Sequence, residues 1–282
     1  MEPMETQEVV PVKTKKNTKG WGIIRILILT AVMYGLMVAF AILGLLFADQ
    51  FSLFDDDIAM DVFGNIGLGF GALIAVMELR KVTGERVRDS IKIKDFSILL
   101  VIMLTLAGWS LGEVCDHFMA VILSGFMCIE PDESSLSGVT GVISAVICAP
   151  IFEELIFRHS FIGLLKKNSG KVFTIVFTSL VFSLAHAYNI QNSADVFVGT
   201  LLAAYVFYKT GNLLYTICEH ALHNALCFLP FGSFQILGKD LYYEKNGFVL
   251  AEWPWLVINM AVLVFSMTWL ILYFKNRANR LQ

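Results

Sequence analysis

Charge is what this chain has least of. Only 16% of its 282 residues are Asp, Glu, Lys or Arg, where a soluble domain carries roughly 25%. The formal net charge of −3 leaves no basic excess for a nucleic-acid backbone, so no nucleic-acid partner is expected. Cysteines at metal or redox spacing are missing as well. The five present, Cys115, Cys128, Cys148, Cys218 and Cys227, show no CxxC pattern. Four of them lie in apolar stretches, where a free thiol behaves as a small hydrophobe. There is no Gly-x-Ser-x-Gly elbow and no His-Glu-x-x-His helix, which removes two common hydrolase sites. Cys218 lies two positions before His220 and faces away from it on a helix, which disfavours a cysteine nucleophile. No internal repeat or paired broken helices are visible, which disfavours a transporter with a proton relay.

What the chain has in abundance is apolar length. Apolar residues make up 57% of it, and the mean hydropathy is +0.70. It is expected to be an all-α, polytopic integral membrane protein with about eight transmembrane helices in one bundle. The expected spans are Trp21 to about Ala48, Val62 to about Met77, Phe96 to about Leu123, Gly138 to about Leu165, Val172–Tyr188, Ala194–Tyr208, Leu213–Phe231 and Trp253–Phe274. The expected division is a disordered tail at residues 1–20, a membrane domain at 21–274 and a tail at 275–282. The loops alternate in sign. Lys13, Lys15, Lys16 and Lys19 precede the first span, and Asp55, Asp56, Asp57 and Asp61 follow it. Arg80 to Lys94 form a basic loop, Glu130, Asp132 and Glu133 an acidic one, and Lys166, Lys167 and Lys171 a basic one. By the positive-inside rule both termini are cytoplasmic. Gly64, Gly67, Gly69 and Gly71 in the second span would let neighbouring helices approach closely. The 21 residues Gly232–Glu252 read as a loop.

Against this background the polar residues at membrane depth stand out. An ionised side chain there costs at least ~2.5–3.5 kcal/mol. The fourth span contains Pro150-Ile151-Phe152-Glu153-Glu154-Leu155-Ile156-Phe157-Arg158. Glu154 and Arg158 are four apart and share a helix face in the favourable order. Glu153 is turned about 100° away and is left facing the bundle interior. Pro150 removes a helix hydrogen bond and is expected to kink the span. The fifth span carries Phe182 and His186, again four apart. The seventh carries Glu219-His220-Ala221-Leu222-His223-Asn224, with His220 and Asn224 on one face. Counted from the cytoplasmic ends at ~1.5 Å per residue, Glu153, His186 and His220 lie at comparable depth. One hydrated pocket can therefore hold all three. The plainer reading of these residues is a buried ion-pair network that locks helices together. The chemistry they support is hydrolysis: Glu153 deprotonates a water, the histidines orient that water, bind a metal or protonate the leaving amine, and Asn224 with a histidine holds the oxyanion.

Glu153-Glu154-x-x-x-Arg158, Phe182-x-x-x-His186 and His220-x-x-x-Asn224 resemble, in order, the three motifs of the CAAX protease and bacteriocin-processing (Abi) family. The resemblance covers roughly residues 138–231, the expected catalytic core. It implies an intramembrane CAAX-type endopeptidase acting on a peptide or membrane-protein substrate near the cytoplasmic side of the bilayer. By resemblance Glu153 activates water, and His186, His220 and Asn224 assist, the last two at the oxyanion. Glu154, Arg158 and Phe182 are supporting residues. Both glutamate-dependent and metalloprotease labels are used in the family, and Glu153, His186 and His220 could supply three zinc ligands. His159 and His223 lie outside the motifs and are expected to be structural. The second expectation is a non-proteolytic bacteriocin-immunity or signalling-regulator scaffold. A bacterial plasma membrane is the expected location.

Overall fold

The computed structural model describes residues 19–51, 55–129, 138–186 and 193–279. They fold as α1 (Lys19–Phe51), α2 (Asp56–Thr83), α3 (Ile98–Leu123), α4 (Gly138–Leu165), α5 (Lys171–Ala185), α6 (Ser193–Thr210), α7 (Leu213–Cys227) and α8 (Trp253–Asn279). The protein is an all-α, polytopic membrane protein. Among the described residues five helices, α1 to α4 and α8, are long and apolar enough to cross a membrane, and α5 is a shorter apolar helix. Large apolar side chains such as Leu27, Ile28, Leu46, Leu73 and Val264 are exposed on the outer faces. That pattern suits a lipid solvent, in which the helices satisfy their backbone groups internally.

Boundaries differ from the sequence expectation where polar chemistry or proline decides them. Asp56, Asp57 and Asp61, expected in a loop, lie at the start of α2, where carboxylates complement the positive end of the helix dipole. At the other end of α2, Gly84 takes a left-handed conformation (φ 80°) and donates its N–H to the Arg80 carbonyl, a glycine C-cap. Helix α7 stops at Cys227, ahead of Pro230, and α8 runs to Asn279, so residues 275–279 are helical. Residues 1–18, the acidic segment 130–137 and residues 187–192 lie outside the described residues.

The stretch read as a loop, 232–252, is not irregular. Strands β1 (Gln235–Ile236) and β2 (Lys239–Asp240) pair antiparallel, as do β3 (Tyr242–Lys245) and β4 (Phe248–Ala251). The second hairpin turns at Asn246-Gly247, both with positive φ, which is the Asn-Gly preference of a tight two-residue turn. Phe248 and Leu250 are buried against Ala120 of α3. Asn246 accepts the Ile129 N–H at 3.1 Å and donates to the Ser124 carbonyl at 2.8 Å. At the opposite end of the bundle, Asn212 and Lys92 exchange backbone and amide hydrogen bonds at 3.1 and 3.0 Å. The basic loop after α2 and the turn before α7 are thus fastened together.

One apolar cluster joins α1 (Ile26, Leu29, Met33), α2 (Leu68, Ala72, Leu79), α4 (Ile156, Phe157, Phe161) and α5 (Phe182). Helix α4 sits at its centre. Close approach of α1 and α2 rests on glycine: a methyl on Gly67 would lie 2.7 Å from the Leu36 carbonyl oxygen, and one on Gly44 2.8 Å from that of Ala59. Gly64, by contrast, faces open space. Gly67→Val should therefore push the two helices apart and cost about 1–3 kcal/mol. Gly64→Ala should be neutral, or stabilising by up to ~1 kcal/mol from helix propensity. Denaturation in detergent compares the two variants directly.

Candidate active site

Helix α4 is built unlike its neighbours. It alternates α-helical turns (Gly138–Ile143, Ala149–Glu154, Gly163–Leu165) with π-helical ones (Ser144–Cys148, Leu155–Ile162). The two wide stretches bracket Glu153 and Glu154. Single π turns are uncommon and concentrate at functional sites. The first one has a visible cause, because Pro150 cannot donate an N–H to the helix ladder. Ala149 donates its N–H five residues back, to Ser144.

Glu154 is fully buried, and Arg158 is 4% exposed. Their charges meet at 3.2 Å, Arg158 Nη1 to Glu154 Oε1. The guanidinium also lies over the Phe182 ring, 4.6 Å from its centroid. Glu154 Oε1 additionally lies 3.2 Å from Nδ1 of His220 on α7. A paired carboxylate only accepts, so His220 carries its proton on Nδ1. His186, the C-cap of α5, is fixed in the same way. Its Nδ1 lies 2.9 Å from the Phe182 carbonyl oxygen, which only accepts. Its ring stacks on Phe182 at 4.4 Å. Each neutral imidazole therefore presents an Nε2 lone pair on its other side.

Both lone pairs face Glu153. Its Oε2 lies 3.6 Å from His186 Nε2 and 3.8 Å from His220 Nε2, beyond direct hydrogen bonding. That oxygen is buried and has no hydrogen-bond partner among the described residues. Three acceptors from three helices thus converge on one point, where a water can donate to Oε2 and to an imidazole. The same tautomers would suit metal ligation. No ready-made cluster of three His, Cys, Asp or Glu ligands is found among the described residues. Even so, Glu153 Oε2 stands 3.6 and 3.8 Å from the two Nε2 atoms, a spacing close to that between ligands of one zinc ion at ~2.0–2.2 Å.

Asn224, the remaining candidate, reaches a different partner. Its amide nitrogen donates to the carbonyl of Ala145 at 2.7 Å. His159 and His223 are held elsewhere. His159 Nδ1 lies 3.0 Å from the Ser90 hydroxyl. His223 lies 3.9 Å from Asp195 and packs on the Trp109 ring at 5.3 Å.

Two side chains near the site have no counterpart in the sequence reading. Tyr34 of α1 donates its hydroxyl to the carbonyl of Ala185, the residue before His186, and Thr216 of α7, beside Glu154, donates its own to the Leu213 carbonyl at 3.2 Å. A lone Tyr or Thr in an apolar span carries little signal, and only the fold reveals its target. A second polar group lies outside the three motifs. Glu113 of α3 accepts from Tyr242 at 2.8 Å and from Trp255 at 3.1 Å, and Asp116 accepts the Asp195 N–H at 3.1 Å. Burial and the Glu113 carboxylate push the Tyr242 hydroxyl well above the usual phenol range. Tyr242 therefore remains a donor, and this contact pins the second hairpin to α3.

Removing Arg158 would leave Glu154 buried with only His220 to balance it. Arg158→Ala should cost roughly 3–5 kcal/mol, as for other broken buried pairs. Glu153→Gln should cost far less, because Oε2 makes no ion pair with a fixed charge. Thermal unfolding of the purified variants distinguishes these outcomes.

Comparison with known proteins bears on the same segment. Residues 135–226 match the family model described as type II CAAX prenyl endopeptidase Rce1-like. No curated protein and no solved structure matches the chain. The matched segment carries Glu153, Glu154, Arg158, His186, His220 and Asn224, so the part of the chain that holds the site is similar to the type II CAAX prenyl endopeptidase Rce1-like family.

Proposed function

We propose that this protein is an intramembrane endopeptidase that hydrolyses a peptide bond with Glu153 as the general base. One observation carries the reading. Glu153 Oε2 is buried without a hydrogen-bond partner among the described residues, and two imidazoles of fixed tautomer face it. Water held by Oε2 and the Nε2 atoms loses a proton to Glu153, and the hydroxide attacks the scissile carbonyl. Glu153 passes that proton to Nε2 of His220, and the imidazolium, steadied from its other side by Glu154, donates to the oxyanion and then gives the proton to the leaving amine. Phe182 keeps His186 and Arg158 in register by stacking on both. Glu154 and Arg158 form the fixed frame and take no part in proton transfer.

The substrate is a peptide or the tail of a membrane protein, cut near the cytoplasmic side of the bilayer. The basic character of the loop after α2 and of the turn before α7, fastened together at one end, supports cytoplasmic termini. In this reading Glu153 acts as a base on water and not as a metal ligand.

Mass-spectrometric comparison of cells making the wild type or Glu153→Gln tests the reading. Peptides released only by the wild type, at equal abundance of the two proteins, are expected. Equal release by both would remove Glu153 from the chemistry. With the cleaved peptide in hand, a strong chelator should leave the rate unchanged, and a loss restored by zinc would assign a metal instead.

A further inference from the structure

Pro150 and Asn224 lie on different helices, and the backbone links them. In the π-helical turn each carbonyl is bonded five residues ahead, and the Ala149 N–H goes to Ser144 in this way. The next carbonyl in that register, Ala145, would need the N–H of residue 150. Residue 150 is proline and has none. A buried carbonyl without a donor is costly, so it takes one from elsewhere. The donor is the amide nitrogen of Asn224, at 2.7 Å.

The consequence reaches Glu153. Four residues before Asn224 on the same face of α7 is His220, which contacts both Glu153 and Glu154. Helix α7 is thereby fastened to α4 at two heights, one on each side of Pro150. The lower fastening sets the height and rotation of His220 against the carboxylates. We infer that Pro150 and Asn224 are one positioning unit: the proline frees the Ala145 carbonyl, and Asn224 takes it up, holding the His220 imidazole against Glu153. This rests on the proposed role of Glu153, and it occupies one of the two N–H donors of the Asn224 amide.

The pair can be tested because proline's contribution is a missing N–H. Pro150→Ala restores a donor to the helix and satisfies Ala145 without Asn224. Three variants, Asn224→Ala, Pro150→Ala and the double, would be compared in proteoliposomes with a quenched-fluorescent farnesylated CAAX peptide. The ¹⁵N signal of the His220 ring would be recorded without substrate. Asn224→Ala should lower kcat by at least about tenfold with KM kept, the mark of lost transition-state geometry, and should displace the His220 signal. Pro150→Ala should also lower kcat and displace the His220 signal, because its new N–H takes the Ala145 carbonyl from Asn224. The double variant should be no slower than the slower single variant, because both changes remove one and the same link. Losses that multiply in the double variant would overturn the proposal. A wild-type rate and an unmoved His220 signal in Asn224→Ala or in Pro150→Ala would also overturn it. Equal cleavage by Glu153→Gln would remove Glu153 alone from the chemistry, with the His220 signal still deciding whether Pro150 and Asn224 act as a unit.

Discussion

The ion pair between Glu154 and Arg158 is the constraint on which the rest of this structure depends. Two full charges have been taken out of water into the middle of an apolar bundle, and each is costly there without the other. Their contact at 3.2 Å does more than offset that cost. It leaves Glu154 as a fixed anion that sets the tautomer of His220, and it leaves Arg158 as a fixed cation on the face of Phe182. Phe182 in turn carries His186 on its ring and holds the same imidazole through its carbonyl. From one buried pair, the orientation of both histidines follows. Glu153, one residue away, faces the reactive sides of both.

The unusual backbone of α4 serves the same end. A regular α-helix places adjacent residues about 100° apart, which separates Glu153 from Glu154 but fixes nothing else. The π-helical turns on either side of the pair adjust which carbonyls are left over and which faces meet α5 and α7. Ser160 closes the second wide stretch by donating its hydroxyl five residues back to Leu155 at 2.7 Å. The polar side chains of this helix therefore either pair across to another helix or compensate the backbone of their own. Small residues let the neighbours come close enough for this. A methyl on Gly69 would meet the Phe152 ring at 3.2 Å, directly beside Glu153.

Much of this was legible in the sequence, for physical reasons that differ by residue. Charged side chains in an apolar run are costly, so Glu153, Glu154, Arg158, His186 and His220 announce themselves, and helical spacing pairs Glu154 with Arg158 and sets Glu153 apart. The meeting of three helices follows only from comparable depth, and the distances had to come from the fold. The partner of Asn224 was not legible, because it is a backbone carbonyl exposed by a change of helical register. Pro150 gave the reason for that register, yet proline predicts a kink as readily as a π turn. The two hairpins were readable in part. Asn246-Gly247 between Tyr242-Tyr243 and Phe248-Val249-Leu250 is a strong local signal, but a polar stretch between two spans invites the reading of a simple loop. Tyr34 and Thr216 could not be found without coordinates, since one hydroxyl among apolar neighbours has many possible targets.

As proposed, Glu153 acts on water and forms no bond to the substrate. The most direct measurement is a single turnover of a cleaved peptide in ¹⁸O-labelled water, with enzyme in excess. A general base predicts one ¹⁸O atom in the new carboxylate of the peptide from the first turnover, with none in Glu153. An unlabelled product carboxylate in that first turnover, with ¹⁸O in the Glu153 side chain instead, would show that the glutamate attacks the peptide itself and would contradict the account.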